Sequence, residues 1–240
     1  FNTHFGITPD MDSQQLIQSL TSTELYSPPP HSTPNFTITL SRGYGCGGEM
    51  IAKQLAEQLG LPYYDSELVE SVANAAKLDK ALMEQLDERV KMAHNSWLHS
   101  LFGDQGAFQE NYRRSLINVV LGIAQSGGVI VGRGANLILT SQQAFRVRIS
   151  GSLAICAKRL ATNKGIKFKE AEQAILKVEQ DRSEFIERFY HRDIDDSSTF
   201  DLILNTDRFS FDQAVHLILL AMQMSGYKIP DKALASASGH

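Results

Sequence analysis

The sequence predicts an α/β domain with a parallel sheet covered by helices on both faces. Three observations predict it. Short β-prone runs alternate with stretches of helical periodicity, the pattern of βαβ units. A glycine cluster stands between the first such run and the first helix of the main domain. The composition is that of a soluble globular chain: of 240 residues, 42% are hydrophobic and 21% charged, which excludes wholesale disorder and collagen-like repeats. With a formal net charge of −4, no basic excess marks the chain as a general nucleic-acid binder, and a local basic site stays open. No apolar run reaches spanning length and no signal segment is evident, so no membrane association is expected and a cytoplasmic location is.

Taken in order, residues 1–35 are rich in Ser, Thr and Pro and read as a tail or linker. Pro28-Pro29-Pro30 forbids helix there, while Ser13 to Leu20 is amphipathic enough for one or two turns. The chain begins at Phe1 and not at a methionine, which reads as a fragment or a processed form. Residues 36–228 read as the folded domain. Phe36 to Leu40 is β-prone, and Met50 to Leu59 has Ile51, Leu55 and Leu59 on one helical face before Gly60 ends it. Leu61 to Asp65 is a second short strand. Helices fill Ser66 to Ser126, broken near Gly103 to Gly106. Gly128 to Gly132 and Phe145 to Ile149 are strands, the latter with Arg146 and Arg148 alternating against apolar neighbours. Leu153 to Asn163 and the charged Lys169 to Arg188 are helices. Phe200 to Asn205 is the last strand and Phe211 to Met224 the last helix, and residues 229–240 read as a flexible C-terminal tail.

The glycine cluster is Ser41-Arg42-Gly43-Tyr44-Gly45-Cys46-Gly47-Gly48-Glu49. Glycines allow successive backbone N–H groups to converge on an anion, and the following helix N-terminus adds partial positive charge. A strand-to-helix turn alone needs fewer glycines, so phosphate binding is the reading taken. The standard phosphate loop, G-x-x-x-x-G-K-[ST], is imperfectly matched. Starting at Gly43, Glu49 takes the lysine position and Met50 the hydroxyl position; starting at Arg42, Gly48 and Glu49 do. Another cation must do the lysine's work, and Arg42, Lys53 and a lid arginine are the candidates.

The chain resembles the cytidylate kinase-like family, a branch of the nucleoside monophosphate kinases with a P-loop fold. Four stretches between Phe36 and Met224 carry the resemblance: Ile38 to Glu49 with Ile51-Ala52 and Leu55-Ala56; Leu61-Pro62-Tyr63-Tyr64-Asp65-Ser66-Glu67-Leu68; Val129-Ile130-Val131-Gly132-Arg133-Gly134-Ala135-Asn136; and Arg159 through Asp181-Arg182 to Phe200-Asp201-Leu202-Ile203-Leu204-Asn205-Thr206. The family's loop typically reads S-R-x-x-G-S-G-G and also lacks the lysine.

The resemblance implies a three-layer parallel sheet with a helical acceptor region and a lid, and an ATP-dependent phosphoryl transfer to a nucleoside monophosphate, CMP or dCMP favoured. It implies that Gly43, Gly45, Cys46, Gly47, Gly48 and Glu49 bind ATP, with Arg159 stacking on the adenine. Asp65, Ser66 and Arg133 would hold the acceptor. Arg42, Arg182 and Arg188 would serve catalysis, since phosphoryl transfer asks mainly for position and positive charge. Mg²⁺ is expected with mostly water ligands, Ser41 and Glu49 being the protein groups nearest to hand. The family's G-R-D pattern is broken by Gly134, and Ser71 stands where an acceptor arginine is expected, so the base preference is open. Two other readings stay open: a nucleotide-binding regulatory module with little or no turnover, and a kinase of another small metabolite. The expected partner is thus a small phosphate acceptor, not nucleic acid, with an upstream domain or a homo-oligomer as further partners.

Other signals carry less. His94, His99, His191 and His216 have no metal-ligand spacing. Trp97, Leu98, Leu101 and Phe102 read as core or an oligomer contact. Tyr112-Arg113-Arg114 reads as a helix surface. Arg192 is evenly poised between lid and solvated surface. Cys46 reads as a small packing residue, and Cys46 with Cys156 is too few for a disulfide framework, which suits a reducing compartment.

Overall fold

A central strand, β1 (Thr37–Arg42), organises the computed structural model, which describes residues 12–21, 36–78 and 107–236. Around it in chain order lie α1 (Ser13–Thr21), α2 (Gly48–Leu59), β2 (Tyr63–Tyr64), α3 (Ser66–Leu78), α4 (Ala107–Ser126), β3 (Gly128–Val131), α5 (Ala135–Ile138), β4 (Ala144–Ser150), α6 (Leu153–Lys164), α7 (Phe168–Tyr190), a 3₁₀ turn (Ser197–Thr199), β5 (Leu202–Asn205), α8 (Phe211–Met224) and α9 (Asp231–Ser236). The five strands form one parallel sheet in the order β2-β3-β1-β4-β5. This is the fold class expected, a P-loop kinase-like parallel sheet with helices on both faces.

Strand alternation builds two cores. Ile38, Leu40, Val129, Val131, Val147 and Ile149 face one layer, where Ile51, Leu55, Ile218 and Leu219 of α2 and α8 cover them. Ile130 faces the other, with Val69 and Val72 of α3 and Leu116, Val119, Val120 and Ile123 of α4. The buried Thr37 also points that way and donates to Ala124 O of α4. β5 is the edge, tied to β4 by Arg146, whose guanidinium donates twice to the Asp201 carboxylate at 2.7 and 3.1 Å.

Within the segment read as a tail, the amphipathic stretch is helical as anticipated. α1 packs on α3 and α4, and its Leu16 and Leu20 are each 1% exposed in the second core. Gly122 of α4 makes the seat: a Cβ there would lie 2.6 Å from Leu20 Cδ2. Short α5 and α9 were not anticipated, the first because four residues carry no period. The expected break near Gly103 to Gly106 lies outside the described residues, as do His94, Trp97, Leu98, His99, Leu101 and Phe102. No described helix is long and apolar enough to cross a membrane.

Candidate active site

The glycine loop leaves the carboxyl end of β1, which has β3 on one side and β4 on the other. Open parallel sheets bind ligands at such a crevice. Gly45 and Gly47 both have φ +81°, which side chains resist. Space excludes a side chain too: a Cβ on Gly45 would lie 2.8 Å from Cys156 O, and one on Gly47 2.1 Å from the Phe211 ring. The loop is thereby pressed between α6 and the start of α8. Gly47 caps α2 with no side-chain acceptor, and the N–H groups of Gly45, Gly47, Gly48 and Glu49 have no partner among the described residues. Free N–H groups at a helix start form an anion site.

Gly43 and Cys46 N–H donate to the carbonyls of Ile149 and Gly43 respectively, and Tyr44 N–H is taken by a distant side chain. Tyr44 N–H donates at 2.8 Å to Oε1 of Glu179 on α7. The same carboxylate oxygen accepts from Arg182 at 3.1 Å, and Arg182 also donates to Arg42 O at 2.8 Å. Glu179 has no place among the expected site residues, because a contact spanning 135 residues has no local signature.

Arg42 is the cation nearest the loop. Its side chain, 10% exposed, donates to Glu49 Oε1 at 3.1 Å and lies 3.5 Å from Ser66 Oγ. Its Nε is buried with no acceptor among the described residues. Burial, and next the charge of Arg42, push the Arg182 guanidinium below its ordinary pKa, with Glu179 and Glu49 opposing. Two mutually repelling guanidiniums at the mouth of an anion site are a place where a polyanion is stabilised.

Two cavities meet at this pair. One, of about 340 Å³, is lined by Ser66, Arg133, Asn136, Asp181 and Phe185 together with Arg42 and Arg182. The other, of about 440 Å³, is lined by loop residues Gly43, Tyr44, Gly45, Gly47, Gly48 and Glu49, by Arg159, Lys164 and Phe211, and again by Arg42 and Arg182, while the loop's Cys46 does not line it. Arg42 and Arg182 are the two lining residues they share.

Arg133 sits in the first cavity on a strained turn. Its φ is +53°, between Gly132 at +78° and Gly134 at +70°. Tyr190 Oη donates to Arg133 O at 2.7 Å and holds the turn. The guanidinium donates to Ser66 O at 3.2 Å, pairs with Glu70, and lies 5.3 Å from the Phe185 ring centre. Glu70 and Phe185 were not anticipated. Each lies on a helix face whose other members are ordinary.

In the second cavity Arg159 donates to Thr206 Oγ1 at 3.0 Å and lies 5.5 Å from the Phe211 ring centre. An aromatic and a guanidinium in contact there offer a flat surface against which a planar base can stack.

Other anticipated residues fall elsewhere. Arg188 is exposed on α7 and lines neither cavity, because six residues from Arg182 turn it to another face. Arg192 is exposed and pairs with Asp196 at 3.8 Å. Asp65 caps α3, accepting from Glu67 and Leu68 N–H at 3.0 and 2.7 Å, and lines neither cavity. Lys53 lies over Tyr63, 5.4 Å from the ring centre, so it does not replace the loop lysine. Arg113, read as helix surface, is 6% exposed and donates to Phe189 O. Cys46 is a buried packing residue whose pKa is pushed up, not down, by its hydrogen bond with Cys156 and by burial.

The two metal candidates differ. Ser41 Oγ is neutral and accepts from the Arg148 guanidinium at 3.0 Å, whereas the Glu49 carboxylate sets a full negative charge against Arg42 at 3.1 Å. Glu49, its side chain 61% exposed, is the carboxylate lining the loop cavity. Among the described residues no three His, Cys, Asp or Glu converge on one point. A donor set of one carboxylate fits a Mg²⁺ that keeps most of its waters.

The cytidylate kinase of Aeropyrum pernix is 26% identical over 184 residues, covering 76% of this chain and 96% of that protein. The cytidylate kinase of Staphylothermus marinus is 26% identical over 184 residues, covering 75% and 93%. The crystal structure of an uncharacterized protein from Eubacterium ventriosum superposes with a TM-score of 0.60 at 22% identity, covering 78% of this chain and 98% of that one, and supports the fold. The model of the cytidylate kinase-like family matches residues 37–208, a span that includes the glycine loop, Arg133, Arg159 and Arg182, and the chain belongs to that family.

Proposed function

We propose that the protein transfers the γ-phosphoryl group of ATP to a nucleoside monophosphate, with CMP and dCMP the favoured acceptors. The observation that carries this is the sharing of Arg42 and Arg182 by two cavities. A donor held by the loop and an acceptor held by Arg133 would meet where those guanidiniums converge. That is the point at which charge spreads over the transferred group.

In this reading the N–H groups of Gly45, Gly47, Gly48 and Glu49 cradle the donor phosphates. The paired Arg159 and Phe211 give its base a surface to stack on. Arg42, already at the loop, supplies the charge the missing lysine would give, and Arg182 closes from α7. Arg133 grips the acceptor phosphate, with Ser66 beside it. Asp65 acts one step back by capping the helix that Ser66 opens. Glu49 would hold Mg²⁺ through its water shell, and the ion would neutralise charge on the donor phosphates. The acceptor phosphate oxygen is already anionic, so no side chain is needed as a base.

The test is ADP formation by the purified protein with Mg-ATP over CMP, dCMP, UMP, AMP, GMP and non-nucleotide acceptors, beside Arg133→Ala. Turnover that depends on CMP or dCMP and is lost in the variant is expected. Turnover with a non-nucleotide acceptor alone overturns the substrate class. A second reading, a nucleotide-binding module with little turnover, is favoured by the Glu179 carboxylate on Tyr44 N–H. It predicts a melting shift with ATP and no product with any acceptor.

A further inference from the structure

Cys46 and Cys156 are the two cysteines of the chain, 110 residues apart. Cys46 lies in the glycine loop and Cys156 near the start of α6, and their Sγ atoms are 3.0 Å apart. That is about 1 Å longer than a disulfide bond. Glycines on both sides make the slot that holds the sulfurs. A Cβ on Gly43 would lie 2.7 Å from Cys46 Sγ, and one on Gly151 would lie 2.9 Å from Cys156 Sγ and 3.4 Å from Cys46 Sγ. The phosphoryl transfer proposed above uses neither thiol.

We propose that Cys46 and Cys156 form a reversible intramolecular disulfide that ties the glycine loop to α6. The sulfur pair is 2% exposed at each residue, so the oxidant is a small one, a peroxide. Within the pair Cys156 is the thiol that ionises more readily: the hydrogen bond from Cys46 lowers its pKa and Arg159 adds to this, against burial and the charges of Asp207 and Glu179. Cys156 sulfur attacks hydrogen peroxide, an S–O bond forms, the O–O bond breaks and hydroxide leaves to take up a proton. Cys46 sulfur then displaces the oxygen from the Cys156 sulfenic acid. The S–S bond forms and the S–O bond breaks, and the Cys46 proton leaves with the oxygen as water. In sum two thiols and one peroxide give one disulfide and two waters, with two electrons passing from sulfur to peroxide. A dithiol reverses it by exchange.

The bond fixes the loop against the helix that carries Arg159, and both line one cavity. Oxidation therefore acts on whatever anion the loop holds.

The test treats the full chain with hydrogen peroxide, alkylates free thiols under denaturing conditions, and maps the digest by mass spectrometry. The expected result is loss of both free thiols, a cross-linked peptide pair containing Cys46 and Cys156, and recovery of both thiols with dithiothreitol. Cys156→Ser yields no cross-link. Two thiols that stay free, sulfinic acid on separate cysteines, or cross-links only between molecules overturns the proposal. The wild-type digest decides this without the variant and without any turnover. Where Mg-ATP turnover is present, oxidation removes most of it, dithiothreitol restores it, and Cys156→Ser does not respond. A cross-link that leaves turnover unchanged overturns the link to the loop.

Discussion

Arg182 and Arg188 show how much a helix's phase decides. Both are on α7, but Arg182 donates to Arg42 O and lines both cavities, while Arg188 is exposed and lines neither. Arg182→Ala is expected to lower kcat by about 100-fold or more, the scale for losing a charge that stabilises a phosphoryl-transfer transition state. Arg188→Ala is expected to stay within about threefold, as for a solvated surface charge. Steady-state kinetics on both variants checks this, and equal losses would place the lid charge elsewhere. The glycine loop was legible because its parts are contiguous and its strand-to-helix context is local. Arg133 was legible from a short glycine-flanked run at a strand end. Glu70, Glu179 and Phe185 were not, because their roles depend on side chains brought from distant elements. The nearness of Cys46 to Cys156 was hidden for the same reason, and counting two cysteines said nothing about where they meet.

At the scale of elements, the strands and their parallel order follow from short apolar runs separated by periodic helices. α8 has the bounds expected from its apolar face, Phe211 to Met224. α1 was legible as an amphipathic stretch, but not as part of a core. Its period is two turns long, and its docking depends on the gap at Gly122 in a helix about a hundred residues away. Leu20 fills that gap at 1% exposure. Leu20→Ala is therefore expected to destabilise the domain by about 2–4 kcal/mol, as for a leucine removed from a core that cannot collapse around the cavity. Urea unfolding of the two proteins measures it. A change near zero would show that α1 adds nothing to the stability of the sheet domain.

Over the whole molecule, α7 is the element on which both cavities depend. It lends Asp181, Arg182 and Phe185 to one and Arg182 to the other, and through Glu179 it reaches into the loop itself. Glu179 places a carboxylate on the Tyr44 N–H at the edge of the loop, and it holds Arg182 by the same atom. A polyphosphate held by the neighbouring loop N–H groups meets that carboxylate as a like charge and must draw Arg182 away from it. The nucleotide thus competes with the protein's own anion, and the energy of that contact is subtracted from binding. Removing the carboxylate leaves Arg182 available to the ligand and removes a like charge from its path. Glu179→Ala is expected to tighten ATP binding by about fivefold, roughly 1 kcal/mol, which is the scale of one net hydrogen bond. Calorimetric titration of both proteins with ATP, without acceptor, gives the comparison. Weaker binding in the variant would mean that Glu179 serves to position Arg182 for the donor, not to hold the loop in its absence.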